Sequence, residues 1–217
     1  MVKKLTIRLV KDPNSYLMAE NKSAAEKRRI LSAAARLFRE KSYLNTSVDE
    51  LAGELKINKA MIYYYFKSKG FLLYEIMSSS IDERTAEAQR VGSSERTPLE
   101  KLKMLIDIIM KSHTDPLSLT GVAQFELKNL PRNLMRSYIT KRDKFEQIFR
   151  DVLQEGISTG HFRKEVNVKM SVRFIFGILN SLTAWYKKSG PSSPEEITGE
   201  VLNFIAYSIC YEHSRRF

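Results

Sequence analysis

Apolar residues in this 217-residue chain recur at three- and four-residue spacing almost from end to end, and 9 glycines and 6 prolines interrupt them little. That spacing matches the 3.6-residue turn of an α-helix and not the two-residue period of a strand, so the fold class expected is all-α. The first clear helix spans residues 23–41, with Ile30, Ala34, Leu37 and Phe38 on one face and Ser23 with Glu26 placed as a capping box. Thr46 or Ser47 caps VDELAGEL (48–55), whose inner face is Val48, Leu51, Ala52 and Leu55. Asn58 suits the N-cap of KAMIYYYF (59–66), and Ser68 opens a helix that continues to about Arg90. VGSSERTP (91–98) has the composition of a linker. Further helical segments follow at 98–113, 117–129, 132–158, 167–188 and 194–213. Residues 1–22 break the pattern: Leu5, Ile7 and Leu9 alternate with polar residues before Asp12-Pro13, as in a loose, disordered arm or a short extended segment.

The net charge of +11 makes a polyanion a reasonable partner, and its distribution is uneven. Residues 1–77 hold 15 Lys/Arg against 8 Asp/Glu, a net of +7, whereas 78–217 hold 21 against 17, a net of +4. A single cysteine, Cys210, excludes a disulfide within one chain. The basic start MVKKLTIRLVKDPNSYLM lacks the apolar run of a secretory signal. No stretch approaches the roughly 18 apolar residues of a membrane span, so the expected compartment is the cytoplasm, with no membrane partner. His113, His161 and His213 lie far apart, and only His161 has a carboxylate four residues on, Glu165; neither a metal centre nor a cofactor is expected.

The basic end carries the clearest motif. Two short helices joined by a three- or four-residue turn, the second of them basic, describe a helix-turn-helix. Three consecutive tyrosines on one helix spread over about 200° and cannot share a core. With Ile62 and Phe66, four apart, buried, Lys59, Ala60, Met61, Tyr63, Tyr64 and Tyr65 are left for the other surface. Exposed backbone N–H groups at the helix starts near Ser47 and Ser68 suit phosphate.

The segment TSVDELAGELKINKAMIYYYFKSKGFLL (46–73) resembles the DNA-binding module of the TetR family of bacterial transcriptional regulators, and the likeness extends over about 24–75. It implies an N-terminal three-helix helix-turn-helix domain at 23–70, behind an arm at 1–22, and a helical effector-binding and dimerisation domain at 71–217. The function so implied is that of a DNA-binding regulator, a repressor that binds a palindromic operator as a dimer and is released by a ligand. Thr46 and Ser47 would then touch phosphate, Lys59, Ala60, Met61 and Tyr64 would face base edges, and Tyr63, Tyr65 and Lys69 would bind the DNA backbone. Lys56 departs from the family by standing where a turn glycine is usual. Ala60 and Met61 replace a more usual Gly and Thr.

Two other classes are open to the chain. Gly156-Ile157-Ser158-Thr159-Gly160 fits the nucleophile elbow of a serine hydrolase acting through Ser158, but that motif needs a preceding strand, and FEQIFRDVLQEGI before it reads as helix. The other is a helical interaction module whose basic end binds something other than DNA. A non-enzymatic regulator is the expectation.

Toward the C-terminus, VKMSVRFIFGILNSLTAWY is apolar around most of its circumference, which means burial on several sides. Val168, Val172, Ile175, Leu179 and Leu182 mark one stripe; Phe174, Ile178 and Trp185 mark another. Together with Val201, Ile205 and Ile209 of the last helix, and with Gly177 permitting close approach, Ile175, Leu179 and Leu182 are candidates for the seam of a symmetric dimer. By family likeness, Met104, Ile108, Phe125, Phe145, Phe149 and Trp185 would line an effector pocket. The stretch 125–162 is similar to the branch that controls fatty-acid and steroid breakdown, which implies an acyl-CoA effector, with Arg132, Arg136, Lys141 and Arg142 available to its nucleotide end.

Overall fold

The computed structural model describes residues 13–114, 119–187 and 189–211, and among them the regular structure is helical. The elements are α1 (Pro13–Lys41), α2 (Val48–Leu55), α3 (Lys59–Tyr65), α4 (Lys69–Gly92), α5 (Pro98–Thr114), α6 (Thr120–Glu126) with a 3-10 turn at Leu127–Asn129, α7 (Arg132–Ser158), α8 (Val168–Trp185) and α9 (Pro194–Ile209). Their bounds follow the sequence punctuation closely. Ser47, Asn58, Ser68, Asn167 and Ser193 each accept a backbone N–H from the first turn of the helix they cap. The exception is the first helix, which starts at Pro13 and runs through Ser23 without using it as a cap. Proline's fixed φ and missing N–H suit a helix start, so residues 13–22 extend α1 and do not form an arm. The alternating segment at Leu5–Leu9 lies outside the described residues.

Helices α1–α3 close around Ile30, Ala34, Leu37, Phe38, Leu51, Ile62 and Phe66, all buried. The turn between α2 and α3 is made by Lys56 at φ 53° and ψ 42°, a left-handed conformation usually given to glycine. Its N–H and that of Ile57 return to the carbonyls of Gly53 and Ala52. The motif therefore keeps its geometry at the cost of strain at a lysine. Lys56→Gly should raise stability to urea by about 0.5–1 kcal/mol, the relieved strain less the added freedom of the unfolded chain. A loss of stability would show that the lysine side chain makes up for its backbone.

From this unit α4 runs against α5, α6 and α7, and α7 in turn packs on α8. At the start of α4, a Cβ on Gly70 would lie 2.5 Å from Pro131 Cγ, so the glycine lets α4 meet the turn before α7 at close range. The second core centres on Phe145, Phe149 and Phe176, whose rings meet edge to face with centroids 4.9–5.8 Å apart. Beneath it the buried Lys101 ammonium donates to both Glu155 carboxylate oxygens at 2.9 Å.

Ser158 occupies the last turn of α7, where its hydroxyl donates to the Glu155 carbonyl at 2.9 Å. A helix end stands where a nucleophile elbow would need a strand. Gly156 has a packing reason instead: a Cβ there would lie 2.1 Å from the buried ring of Phe162. Among the described residues no helix is long and apolar enough to cross a membrane, and no group of His, Cys, Asp and Glu could hold a metal.

Candidate functional site

Helix α3 is fixed by Ile62 and Phe66, and its remaining faces point outward. Tyr64 is 79% exposed, Met61 44% and Tyr63 42%; Lys59 and Ala60 complete the outward surface. The third tyrosine differs. Tyr65 is half-buried against the core and meets the Tyr64 ring edge to face at 5.1 Å, so it braces its neighbour more than it offers itself to DNA. Lys59 Nζ donates to Asp49 Oδ2 of α2 at 2.6 Å, a link between the two helices that holds its pKa above the ordinary lysine value. Ser47 is exposed at the start of α2 and accepts the Glu50 N–H there, with its own proton free to donate.

Two expected phosphate ligands are placed elsewhere. Thr46 is 2% exposed, and its hydroxyl donates to the carbonyls of Ser42 and Leu37 while its N–H goes to Tyr43. It closes the turn after α1. Lys69 is half-buried with Nζ 4.2 Å from the centre of the Tyr43 ring, and burial lowers its pKa while nearby Glu126 opposes that shift. It belongs to the junction between the α1–α3 unit and the rest.

The assignments on α8 and α9 also change. Ile175, Leu179, Leu182, Ile205 and Ile209 are buried within the chain, and Val201 is half-buried. The outward stripe is the other one the sequence marks: Phe174 (62% exposed), Gly177, Ile178 and Trp185 on α8, beside Phe204 (63%) and Tyr207 on α9. Between the two helices runs a groove of about 750 Å³, lined by Met170, Phe174, Gly177, Ile178 and Phe204, with Ile175, Ile205 and Ile209 beneath them. Trp185, expected in a pocket, stands on this outer surface, and its indole N–H reaches Ser181 Oγ at 3.4 Å.

A half-open cavity of about 240 Å³ lies among α4–α8. Its wall comprises Ile81, Arg84, His113, Ala123, Leu127, Tyr138, Arg142, Phe145, Phe176 and Asn180. Of the six residues expected to line a pocket, Phe145 alone does so. Phe149 and Ile108 are core, Met104 packs against the core, and Phe125 points outward from α6. The polar lining was missed because no motif carries it. The available signal was a charge on a core face: Arg84 lies three residues after buried Ile81, and His113 four after buried Ile109.

His113 is held neutral. Burial first, then the charge of Arg84, pulls its pKa down to about 4 against the favourable influence of Asn180, and neither ring nitrogen has a hydrogen-bond partner of ordinary geometry. The unfolded chain accepts this proton near 6.5. Stability is therefore intact at neutral pH and lost as pH falls from about 6.5 to 4, by about 3 kcal/mol in all. Chemical denaturation of His113→Gln across that window should show a flatter pH profile; an unchanged slope would assign the acid sensitivity to another group.

One more contact joins the two regions. Ala123 and Leu127, on one side of α6 and its 3-10 extension, wall the cavity. Glu126, between them in sequence and 4% exposed, accepts the backbone N–H of Tyr43 at 2.8 Å and the Asn129 amide at 2.6 Å.

A trihelical unit with an exposed aromatic third helix, joined to a larger helical domain with a half-open cavity, is the architecture of a helix-turn-helix transcriptional regulator. Residues 30–76 match the bacterial regulatory proteins of the tetR family, and residues 95–209 match the tetracyclin repressor-like C-terminal domain. The chain belongs to the TetR family and is a DNA-binding transcriptional regulator. It is 27% identical over 183 residues to the HTH-type transcriptional repressor KstR2 of Mycolicibacterium smegmatis, covering 84% of this chain and 89% of that one. Among solved structures it is similar to the TetR-family regulator PfmR of Thermus thermophilus, at 30% identity and a TM-score of 0.74, covering 82% of this chain and 96% of that one. AibR, solved in complex with isovaleryl coenzyme A and operator DNA, shares the fold at 22% identity and a TM-score of 0.75, covering 82% of this chain and 96% of that one.

Proposed function

We propose that the protein is a cytoplasmic, non-catalytic, homodimeric repressor that grips a palindromic operator through two copies of α3 and lets go when an effector fills the cavity among α4–α8. Residues 23–70 form the reading head, with α1 extending it backward to Pro13, and 71–217 form the effector and dimerisation domain. Lys59, Ala60, Met61 and Tyr64 face base edges, while Ser47, Tyr63 and the N-termini of α2 and α4 meet phosphates. The outward faces of α8 and α9 pair with their copies as a four-helix bundle.

The observation that carries this reading is the double service of α6. Its cavity side is Ala123 and Leu127, and Glu126 holds the chain at Tyr43, directly after α1 of the reading head. An effector that displaces Ala123 and Leu127 must therefore disturb the seat of α1. It can move the equilibrium only so far as it binds the released conformation better than the DNA-bound one. The effector class suggested is an acyl-CoA, on the likeness of residues 125–162 to that branch and on the ligand in AibR. Gel shifts with the full-length protein on a palindrome from upstream of its own coding sequence test the reading. Binding should weaken steeply with salt, and an acyl-CoA should release it. Failure to bind any palindrome in a salt-dependent way would overturn it.

A further inference from the structure

We infer that the cavity is built to receive a carboxylate, held chiefly by Arg84, at the end of a short hydrocarbon ligand. This rests on the reading of the cavity as the effector site. The carboxylate can come from a free short-chain acid or from the far end of a dicarboxylic acyl-CoA whose nucleotide stays outside.

Three observations converge on it. The first is unbalanced charge. Among the described residues no carboxylate pairs with the half-buried Arg84, and no acid lines the cavity. The guanidinium Nε donates to the Ser80 carbonyl at 3.3 Å, and the group lies 5.3 Å from the Phe145 ring centre. Arg142, the other cation on the wall, already has Glu146 and Asp143. A partly buried cation without a counter-charge is costly, and its planar guanidinium fork matches a carboxylate in two-point contact. The second is His113, beside Arg84 on the wall, with Asn180 as its polar neighbour and neither ring nitrogen in a hydrogen bond of ordinary geometry. An incoming anion would offset the repulsion from Arg84 and let the ring donate a hydrogen bond to it. The third is size. At about 240 Å³ the half-open cavity is smaller than the roughly 300–1,000 Å³ of a pocket that holds a drug-sized ligand, which suits a short acid or the end of an acyl chain. The apolar remainder of such a ligand has Phe145, Phe176 and Leu127 to pack on.

Isothermal titration of the full-length protein separates the cases. The probes are hexanoate against hexanamide, and glutaryl-CoA against pentanoyl-CoA, each pair matched in length and differing in the terminal charge. We expect at least tenfold tighter binding of the charged member in one pair, and the responding pair names the source. Arg84→Met should erase that preference, while Arg84→Lys should keep part of it. If Arg84→Met does not fold, the wild-type comparison alone still decides. Equal or tighter binding of the neutral members, or a charge preference that survives in Arg84→Met, overturns the carboxylate site. Release of operator DNA by pentanoyl-CoA in that case leaves the effector reading standing. Absence of binding by all four probes overturns the carboxylate site, and a failure of every acyl-CoA to release DNA would count against the effector reading as well.

Discussion

Tyr64→Ala should lower operator affinity by about 100-fold while the protein stays folded and keeps its oligomeric state. Tyr64 is the most exposed of the aromatics on α3, and its ring meets that of Tyr65 edge to face. Its removal therefore costs little stability. In an operator complex the same side chain would sit at the middle of the face that Ile62 and Phe66 turn outward. A lost contact of about 1–3 kcal/mol at each of two half-sites gives roughly the stated effect. The measurement is a titration of labelled operator with wild type and variant at one salt concentration, alongside their thermal melts. Unchanged affinity would show that another face of α3 reads the DNA. A collapse of the melting temperature would show instead that Tyr64 is structural.

Phe204→Arg should convert the dimer to single chains at micromolar concentration and with it abolish binding to the full palindrome. The outward stripe of Phe174, Ile178 and Trp185, with Phe204 and Tyr207 beside it, is too continuous an apolar surface to be left to water in a stable monomer. An arginine at Phe204 would place a charge in that contact and, in the twofold arrangement, oppose it to itself or its neighbours. Because Phe204 is exposed within the chain, the fold of one subunit should be unaffected. Sedimentation velocity gives the mass directly. A variant that remains dimeric would locate the interface elsewhere.

The same two faces show what was legible in advance. The reading head could be read almost residue by residue, because its determinants are local: Asn58 and Ser68 as caps, Ile62 and Phe66 one turn apart, and a turn that forces Lys56 to φ 53°. The three expected contacts that moved are held within their own chain: Thr46 in the end of α1, Tyr65 against the core and the Tyr64 ring, Lys69 over Tyr43. On α8 both apolar stripes were visible. Which one faced inward was not, because the choice depends on where α5, α7 and α9 lie, and no periodicity within α8 records that.

By itself, then, the sequence determined an all-helical chain, most of its helix starts from Ser47 onward, the helix-turn-helix and the side of α3 that is free. These follow from hydrogen bonds and hydrophobic spacing within a few turns of backbone. Tertiary structure alone decided that Arg84 and His113 share one cavity, that Glu126 ties its wall to the reading head, and that Phe174 and Phe204 lie outside while Ile175 and Ile205 lie within. Each of those joins residues dozens of positions apart, and their meeting is set by how whole helices pack.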